Sequence, residues 1–317
     1  MSFEERRVAA IDCGTNSVRL LVNSVFTDSE LGTATRQLAR EMRIVRLGQG
    51  VDRTGRLDPA AIERTRLALE EYRRVINYHE VDTVRMVATS ATRDAGNRAD
   101  FVAMVQSTLG IEPEVVTGVE EAQLSFNGAV DGLDSLVGAV LVTDIGGGST
   151  ELVRGLDPGN TGSGALAAFS MDVGAVRLTE RHLRDDPPTP GQLSAAASDV
   201  AAALEVAGQS VDLAAEATLV GVAGTVTTLA AMALHLPAYD SAAIHGSTLT
   251  RDQVATLTRW LSEATHDERA AVPVIHPGRV DVITAGALIL GAVMGAAGAA
   301  QIIVSEHDIL DGIAASL

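Results

Sequence analysis

Asp144-Ile145-Gly146-Gly147-Gly148-Ser149-Thr150-Glu151 is a glycine-rich stretch between two apolar runs, Val137 to Val142 and Leu152-Val153. Apolar run, glycine turn and apolar run predict a β-hairpin with a very tight tip. Three consecutive glycines let backbone N–H groups converge on a guest, because no Cβ blocks the approach. Asp144 and Glu151 flank the turn and would repel a bare phosphate, so the pattern calls for a metal ion between acids and phosphate. Taken alone, the stretch reads as a plain glycine hairpin.

A second copy of the pattern argues against the plain hairpin. Near the N-terminus the chain reads Val8-Ala9-Ala10-Ile11-Asp12-Cys13-Gly14-Thr15-Asn16-Ser17-Val18-Arg19-Leu20-Leu21-Val22. Asp12 aligns with Asp144, Gly14 with Gly146, Ser17 with Ser149 and Leu20 with Leu152, at an offset of 132 residues. Strand, Asp-x-Gly-x-x-Ser, strand, occurring twice, predicts two domains of like build, each presenting a phosphate-gripping hairpin. Two such tips facing one another across a cleft could hold a chain of phosphates from both ends.

The chain of 317 residues is long enough for two cores. With 46% hydrophobic but only 3% aromatic residues, those cores must be built of Ala, Val, Leu and Ile. A single cysteine excludes an internal disulfide framework, and Cys13 reads as a small buried filler. No signal peptide and a cytoplasmic location are expected. From Val282 to Val304 no residue is charged, a length that could cross a bilayer. Its Ala/Gly composition and terminal Gln301-Ile302-Ile303-Val304 instead predict a buried helix followed by a strand.

Net charge is −17, but it is unevenly spread. Residues 1–100 carry 16 Arg against 15 Asp and Glu, and the remainder 8 against 26. The first domain is therefore the one expected to present positive potential to an anion. The chain has no lysine, so it has no Walker A loop.

Along the chain, Arg40 to Gly50 alternates apolar and charged residues and predicts a strand with one wet face. Asp58-Pro59 opens a helix to about Tyr78. The strand from Val81 to Ala88 delivers Arg93 at its carboxyl end, where ligands gather in open α/β sheets. There an arginine can grip phosphate with its planar fork, or simply pair with Asp94 or Asp100. Glu114-Val115-Val116 leads into a helix beginning at Glu120-Glu121, either of which could reach a water. A flexible loop is expected from Asp157 to Gly164, and helices from Ala175 to Arg184 and from Gly191 to Gly208. Ala217 to Leu229 reads as strand, tight Gly224-Thr225 junction and helix, a third site for an anion.

In order, Asp12-x-Gly-x-Asn-Ser, Ala88-Thr89-Ser90-Ala91-x-Arg93-Asp94-Ala95, Gly118-x-Glu120-Glu121-Ala122, Asp144 to Glu151, Gly224-Thr225 and Pro277-Gly278-Arg279-Val280-Asp281-Val282-Ile283 resemble the exopolyphosphatase/guanosine pentaphosphate phosphohydrolase (Ppx/GppA) family. The resemblance implies an α/β fold of two ribonuclease-H-like domains of the actin/Hsp70/sugar-kinase superfold. Each is a mixed sheet flanked by helices, with a cleft between them. The expected domains are residues 1–131 with 305–317, the final helix returning to the first domain, and residues 132–304.

The resemblance also implies hydrolysis of terminal phosphoanhydrides with Mg²⁺ or Mn²⁺. By position, Glu120 matches the general base and Arg93 the phosphate-contacting arginine. Asp144 and Glu151 match acids tied to the metal, with Asp12 as their counterpart in the first copy. The phosphate-binding residues would be Gly14, Thr15, Asn16, Ser17, Gly146, Gly147, Gly148, Ser149, Gly224 and Thr225. The expected ligand is inorganic polyphosphate or pppGpp, with no nucleic acid or membrane partner and a homodimeric assembly. The C-terminal HD-like domains of longer relatives are not expected. Where many relatives read Leu-Arg-Glu-Gly this chain reads Ile309-Leu310-Asp311-Gly312, which removes one anion contact. A pppGpp phosphohydrolase, a pppGpp or polyphosphate sensor, an actin- or Hsp70-like switch and a small-molecule kinase of the same superfold remain alternatives.

Overall fold

The computed structural model describes residues 4–28, 32–133, 136, 138–156 and 167–317. The glycine-rich loop expected from Asp157 to Gly164 falls wholly outside them. By their contacts the residues divide into two units, Met1–Thr117 with Ile309–Leu317, and Gly118–Asp308.

Unit 1 begins with β1 (Glu4–Cys13), β2 (Ser17–Asp28) and β3 (Gly32–Ile44), followed by α1 (Val51–Thr54) and α2 (Pro59–Tyr78). Then come β4 (Thr83–Ala88), α3 (Ser90–Asp94), α4 (Arg98–Leu109) and β5 (Glu114–Val115). The sheet order is β3-β2-β1-β4-β5, the first three strands antiparallel and β4 and β5 parallel to β1. Helix α2 starts where the sequence puts it: the Asp58 carboxylate accepts from Ala60 N at 2.7 Å, and Pro59 occupies the first turn. Its inward residues Ala61, Thr65, Ala68, Leu69, Tyr72 and Ile76 recur at helical spacing, and all but Thr65 join Ile11, Leu20, Met86 and Phe101 in one apolar core. The Tyr72 hydroxyl donates to the buried carbonyl of Val18 at 2.8 Å. Tyr72→Phe would remove that bond, so thermal denaturation should show a loss of about 1 kcal/mol. An unchanged Tm would mean that β2 shifts to satisfy the carbonyl otherwise. The strand expected around Arg40 begins earlier, at Gly32, and stops at Ile44, leaving residues 45–50 as a loop.

Unit 2 opens with α5 (Gly118–Val130), β6 (Ala139–Ile145), β7 (Thr150–Leu156) and β8 (Ala167–Met171). It continues through α6 (Ala175–His182), α7 (Pro190–Ala207), β9 (Thr218–Val222), α8 (Ala223–Ala233) and α9 (Ser241–Ile244). The last elements are β10 (Thr248–Thr250), α10 (Arg251–Glu263), α11 (His266–Ala270), α12 (Ile283–Ala296) and β11 (Gln301–Val304). The final helix α13 (Ile309–Ala315) packs on β1 and β2 and groups with unit 1. Strand order is β10-β11-β9-β6-β7-β8. Residues alternate between two cores, Val140, Val142 and Val153 beneath α5, and Leu141, Ile145 and Leu152 beneath α6, α7, α8 and α12. Helix α5 lies on β6, β7, β8 and β9, so by contact residues 118–131 go with unit 2, although the sequence boundary allots them to the first domain.

Both sheets share one plan: three antiparallel strands, then two parallel to the first (β1-β2-β3 with β4 and β5; β6-β7-β8 with β9 and β11). That is the duplication read from the two Asp-x-Gly-x-x-Ser copies. The uncharged segment after Val282 forms α12, largely buried, and then β11. No helix among the described residues is long and apolar enough to cross a membrane.

Candidate active site

The two glycine hairpins close in the same way. Gly14 N donates to Ser17 O and Gly146 N to Ser149 O, each at 3.0 Å, so the tips are local equivalents down to the bond that shuts them. Their surroundings differ in charge.

In unit 1, Asp12 is paired across the strands with Arg19, whose Nε and Nη2 donate to Asp12 Oδ2 at 3.0 and 2.7 Å. The carboxylate is buried and already balanced by a cation. The tip is tied to the start of α3 by a 2.9 Å contact between the Thr15 and Ser90 hydroxyls. One turn on, Arg93 donates to the Val116 carbonyl at 3.2 Å, which anchors its side chain between the ends of β4 and β5. The segment after β3 closes on the tip from the other side: Val45 N and Arg46 N both donate to Asn16 O, at 3.0 and 2.9 Å, and Gly48 N donates to Thr15 O at 2.8 Å. A Cβ on Gly48 would collide with the Thr15 side chain, so glycine is required for this approach.

In unit 2 the residue opposite Asp144 is Glu151, an acid facing an acid on adjacent strands. Like charges directly opposite are destabilising, and here both are buried, Asp144 at 7% exposure and Glu151 at 1%. A third carboxylate comes from α5. Gly118 lets the helix start approach β8 closely, since a Cβ there would lie 2.6 Å from Ser170 Cβ. The inward face then carries Glu121, Ala122, Ser125 and Phe126, leaving Glu120 exposed. Ser125 donates to Asp144 Oδ2 at 2.6 Å, and Ser170 to Glu151 Oε1 at 2.7 Å. Burial first, and then the charges of Glu121 and Asp144, push the Glu151 carboxyl well above the usual range; hydrogen bonds from Ser170 and Ser149 offset this only in part.

The remaining sequence-predicted residues lie at the second tip and at the start of α8. Gly147 O accepts from Val176 N at 2.8 Å and Arg177 N at 3.1 Å, and Gly146 O from Ala175 N at 2.9 Å, so the start of α6 fixes the glycine tip. Ser149 is buried beside it, joined to the same turn as Gly148. Gly224 and Thr225 lie in the first turn of α8 immediately after β9, and the Arg279 guanidinium covers Gly224 so closely that no Cβ would fit. Sequence reasoning missed the inward placement of Glu121, the serines that hold the acids, and the clamp of Arg46 on the first tip. The spacing Glu121-Ala122-Ser125-Phe126-Ala129 carries the helical phase that distinguishes Glu121 from Glu120.

A divalent cation of the Mg²⁺ kind is held by one or two carboxylates, with water and substrate phosphates completing the shell. The buried Asp144–Glu151 pair fits that requirement, because two carboxylates face each other on adjacent strands and a cation held by them would offset their repulsion. A cage of protein side chains does not fit: among the described residues no group of three or more His, Cys, Asp and Glu side chains could hold a metal. Asp12 lies in the other unit and has Arg19 opposite it, whereas Asp144 has Glu151.

Comparison with known proteins places the whole chain. The chain is 48% identical over 320 aligned positions to exopolyphosphatase 2 of Mycobacterium tuberculosis, covering 98% of each protein. Among solved structures, an exopolyphosphatase-like protein superposes with a TM-score of 0.90 at 41% identity, covering 99% of this chain and 98% of that one. The PPX-GPPA enzyme of Aquifex aeolicus gives a TM-score of 0.80 at 31% identity, covering 99% and 100%. With its model matching residues 25–317, the chain belongs to the Ppx/GppA phosphatase family.

Proposed function

We propose that this protein is an exopolyphosphatase that removes the terminal phosphate of inorganic polyphosphate with the help of a divalent cation. The observation that carries the reading is the buried carboxylate group of unit 2, Glu121, Asp144 and Glu151, set beside a triple-glycine tip whose backbone is pinned by α6. Asp144 and Glu151 would hold the cation, which supplies positive charge for the phosphoryl oxygens. Glu121 takes a proton from a water that attacks the terminal phosphorus in line. The bridging P–O bond breaks, orthophosphate is released, and the shortened chain leaves with the bridging oxygen. We place the base at Glu121 instead of Glu120 because α5 turns Glu121 inward toward Glu151 and leaves Glu120 in solvent. Ser125 and Ser170 fix the rotamers of the two metal-holding acids. Backbone N–H groups of the tip suit the charge that spreads over the transferring group. Unit 1 carries further elements suited to phosphate oxygens, the Gly14–Ser17 tip and Arg93.

The deciding experiment is phosphate release from polyphosphate, ATP and pppGpp with Mg²⁺ or Mn²⁺ present. Release from polyphosphate without an acceptor is expected; release from ATP only with an added acceptor would make the protein a kinase, and tight binding without turnover a sensor. Excess EDTA should abolish turnover, and full activity in EDTA would remove Asp144 and Glu151 from the metal role. Glu151→Gln should lower turnover by a factor on the order of 10². In EDTA the same variant should melt no lower than the wild type, since burial and the charges of Glu121 and Asp144 already push the Glu151 carboxyl toward its neutral form and the amide matches it in size. A lower Tm would show that the native pair is compensated in some other way.

A further inference from the structure

Helix α5 carries both Glu121 and Ser125, one turn apart on its inward face, so its position along its own axis sets where the proposed base and the serine on Asp144 stand. Gly118 and Gly128 lie near its two ends, where glycine weakens a helix, so contacts from outside have to hold those ends. At the start, Gly118 closes onto Ser170 of β8. The other end is held by side chains.

Two histidines meet the turn that ends α5. His245, between α9 and β10, and His307, after β11, stack with ring centroids 4.8 Å apart and planes 27° from parallel. Their partners fix their tautomers. Glu306 N donates to His245 Nδ1 at 3.2 Å, so the ring proton of His245 sits on Nε2, which donates to Gly132 O at 3.1 Å. His307 Nδ1 lies 3.0 Å from Asp131 O and donates to it. Two consecutive carbonyls are thus gripped by two stacked rings. Gly132 has φ +77°, and a Cβ there would stand 3.2 Å from His307 Cε1 and 3.5 Å from His245 Nε2, so glycine lets the turn sit against both rings. The far side of His245 is anchored as well: Glu306 Oε1 accepts from the Tyr239 hydroxyl at 2.5 Å, and that hydroxyl lies 2.8 Å from Thr227 Oγ1 of α8.

We infer that His245 and His307 are positioning residues for the reaction: by holding the carbonyls of Gly132 and Asp131 they fix α5 along its axis, and with it Glu121 and Ser125 against Asp144 and Glu151. The effect on turnover rests on the polyphosphatase reading; the grip on α5 rests on the hydrogen bonds alone. Asp131 stands about 15 Å from Glu121 along the helix axis, so the contribution of the pair is register and not contact with the reacting atoms. A misplacement on the order of an ångström is worth up to about 10²-fold in rate.

The test compares His245→Ala, His245→Asn and His245→Gln with the wild type by hydrogen–deuterium exchange of α5 and by steady-state kinetics on polyphosphate with Mg²⁺. The Gln amide extends an N–H toward Gly132 O, whereas Asn places its oxygen where Nδ1 takes the Glu306 N–H and stops short of Gly132. In Ala and Asn the amides of residues 127–133 should exchange faster, and kcat should fall roughly tenfold with KM little changed; Gln should recover both. His235→Asn, at an exposed left-handed position after α8, should change neither. No change in His245→Ala, a change in exchange or kcat without the other, or equal recovery by Asn and Gln would overturn the inference. Should the wild type release no phosphate from polyphosphate, the polyphosphatase reading fails separately, and exchange of α5 still decides whether the pair grips it.

Discussion

Glu121→Gln is expected to reduce kcat for phosphate release by a factor on the order of 10²–10⁴, the range for loss of a general base, with KM little altered. Glu120→Gln is expected to leave kcat within a few-fold of the wild type. The two positions are neighbours with the same side chain, so the contrast isolates geometry. In α5 they point about 100° apart, and the helix packs on β6, β7, β8 and β9 through the face that includes Glu121, Ala122, Ser125 and Phe126. Only Glu121 is buried there and acts on the charge balance of Glu151. Because Gln retains the size and hydrogen-bonding reach of Glu, packing of α5 should survive, and circular dichroism and Tm would verify that. If Glu120→Gln were the inactive variant and Glu121→Gln the active one, the inward carboxylate would be an electrostatic element of the acid group and the base would lie in solvent.

Gly174→Ala should cost about 10²-fold in kcat/KM even though residue 174 contributes no functional group. Its φ is −141°, extended backbone open to any residue, so the requirement for glycine is spatial. A Cβ at this position would lie 2.6 Å from Gly147 C, Gly147 O and Ser149 N. All three are main-chain atoms of the triple-glycine tip, which cannot swing aside as a side chain would. Overpacking of this kind typically costs about 1–3 kcal/mol, relieved by moving the backbone. Here the backbone that moves is the tip, and misplacement of reacting groups by an ångström is worth about 10²-fold in rate. Gly191→Ala supplies the comparison: it stands in the exposed first turn of α7, where the nearest atom to a Cβ is Thr189 Oγ1 at 4.0 Å, and should leave activity and Tm unchanged. Wild-type turnover in Gly174→Ala would show that the start of α6 yields without disturbing the tip.

Several elements were legible because local chemistry fixes them. Asp58-Pro59 marks the start of α2 through one side-chain cap and one ring, and the structure places both there. Each hairpin is a tight turn between apolar runs, and Gly14–Ser17 and Gly146–Ser149 close identically. The neutral run after Val282 lacks the length of continuous helix that a bilayer needs, and its glycines and final β-branched residues divide it into α12 and β11. The stretch around Arg40 was harder: alternation continues to Arg46, but the two bonds from Val45 and Arg46 to Asn16 O end the strand at Ile44. Such a long-range bond leaves no trace in spacing.

The sequence alone determined the duplicated strand–turn–strand plan, the family to which it belongs and the presence of acids beside the second glycine tip, because these depend on residue order and on turns that close over four residues. Tertiary structure alone decided which acids are buried and what each of them faces. Asp12 and Asp144 occupy the same position in the two copies, yet one meets Arg19 across the sheet and the other meets Glu151. Glu120 and Glu121 are adjacent in the chain, and only the packing of α5 on its sheet turns one of them inward. Burial and cross-strand neighbours set the energy of a carboxylate, and both are properties of residues brought together from distant parts of the chain.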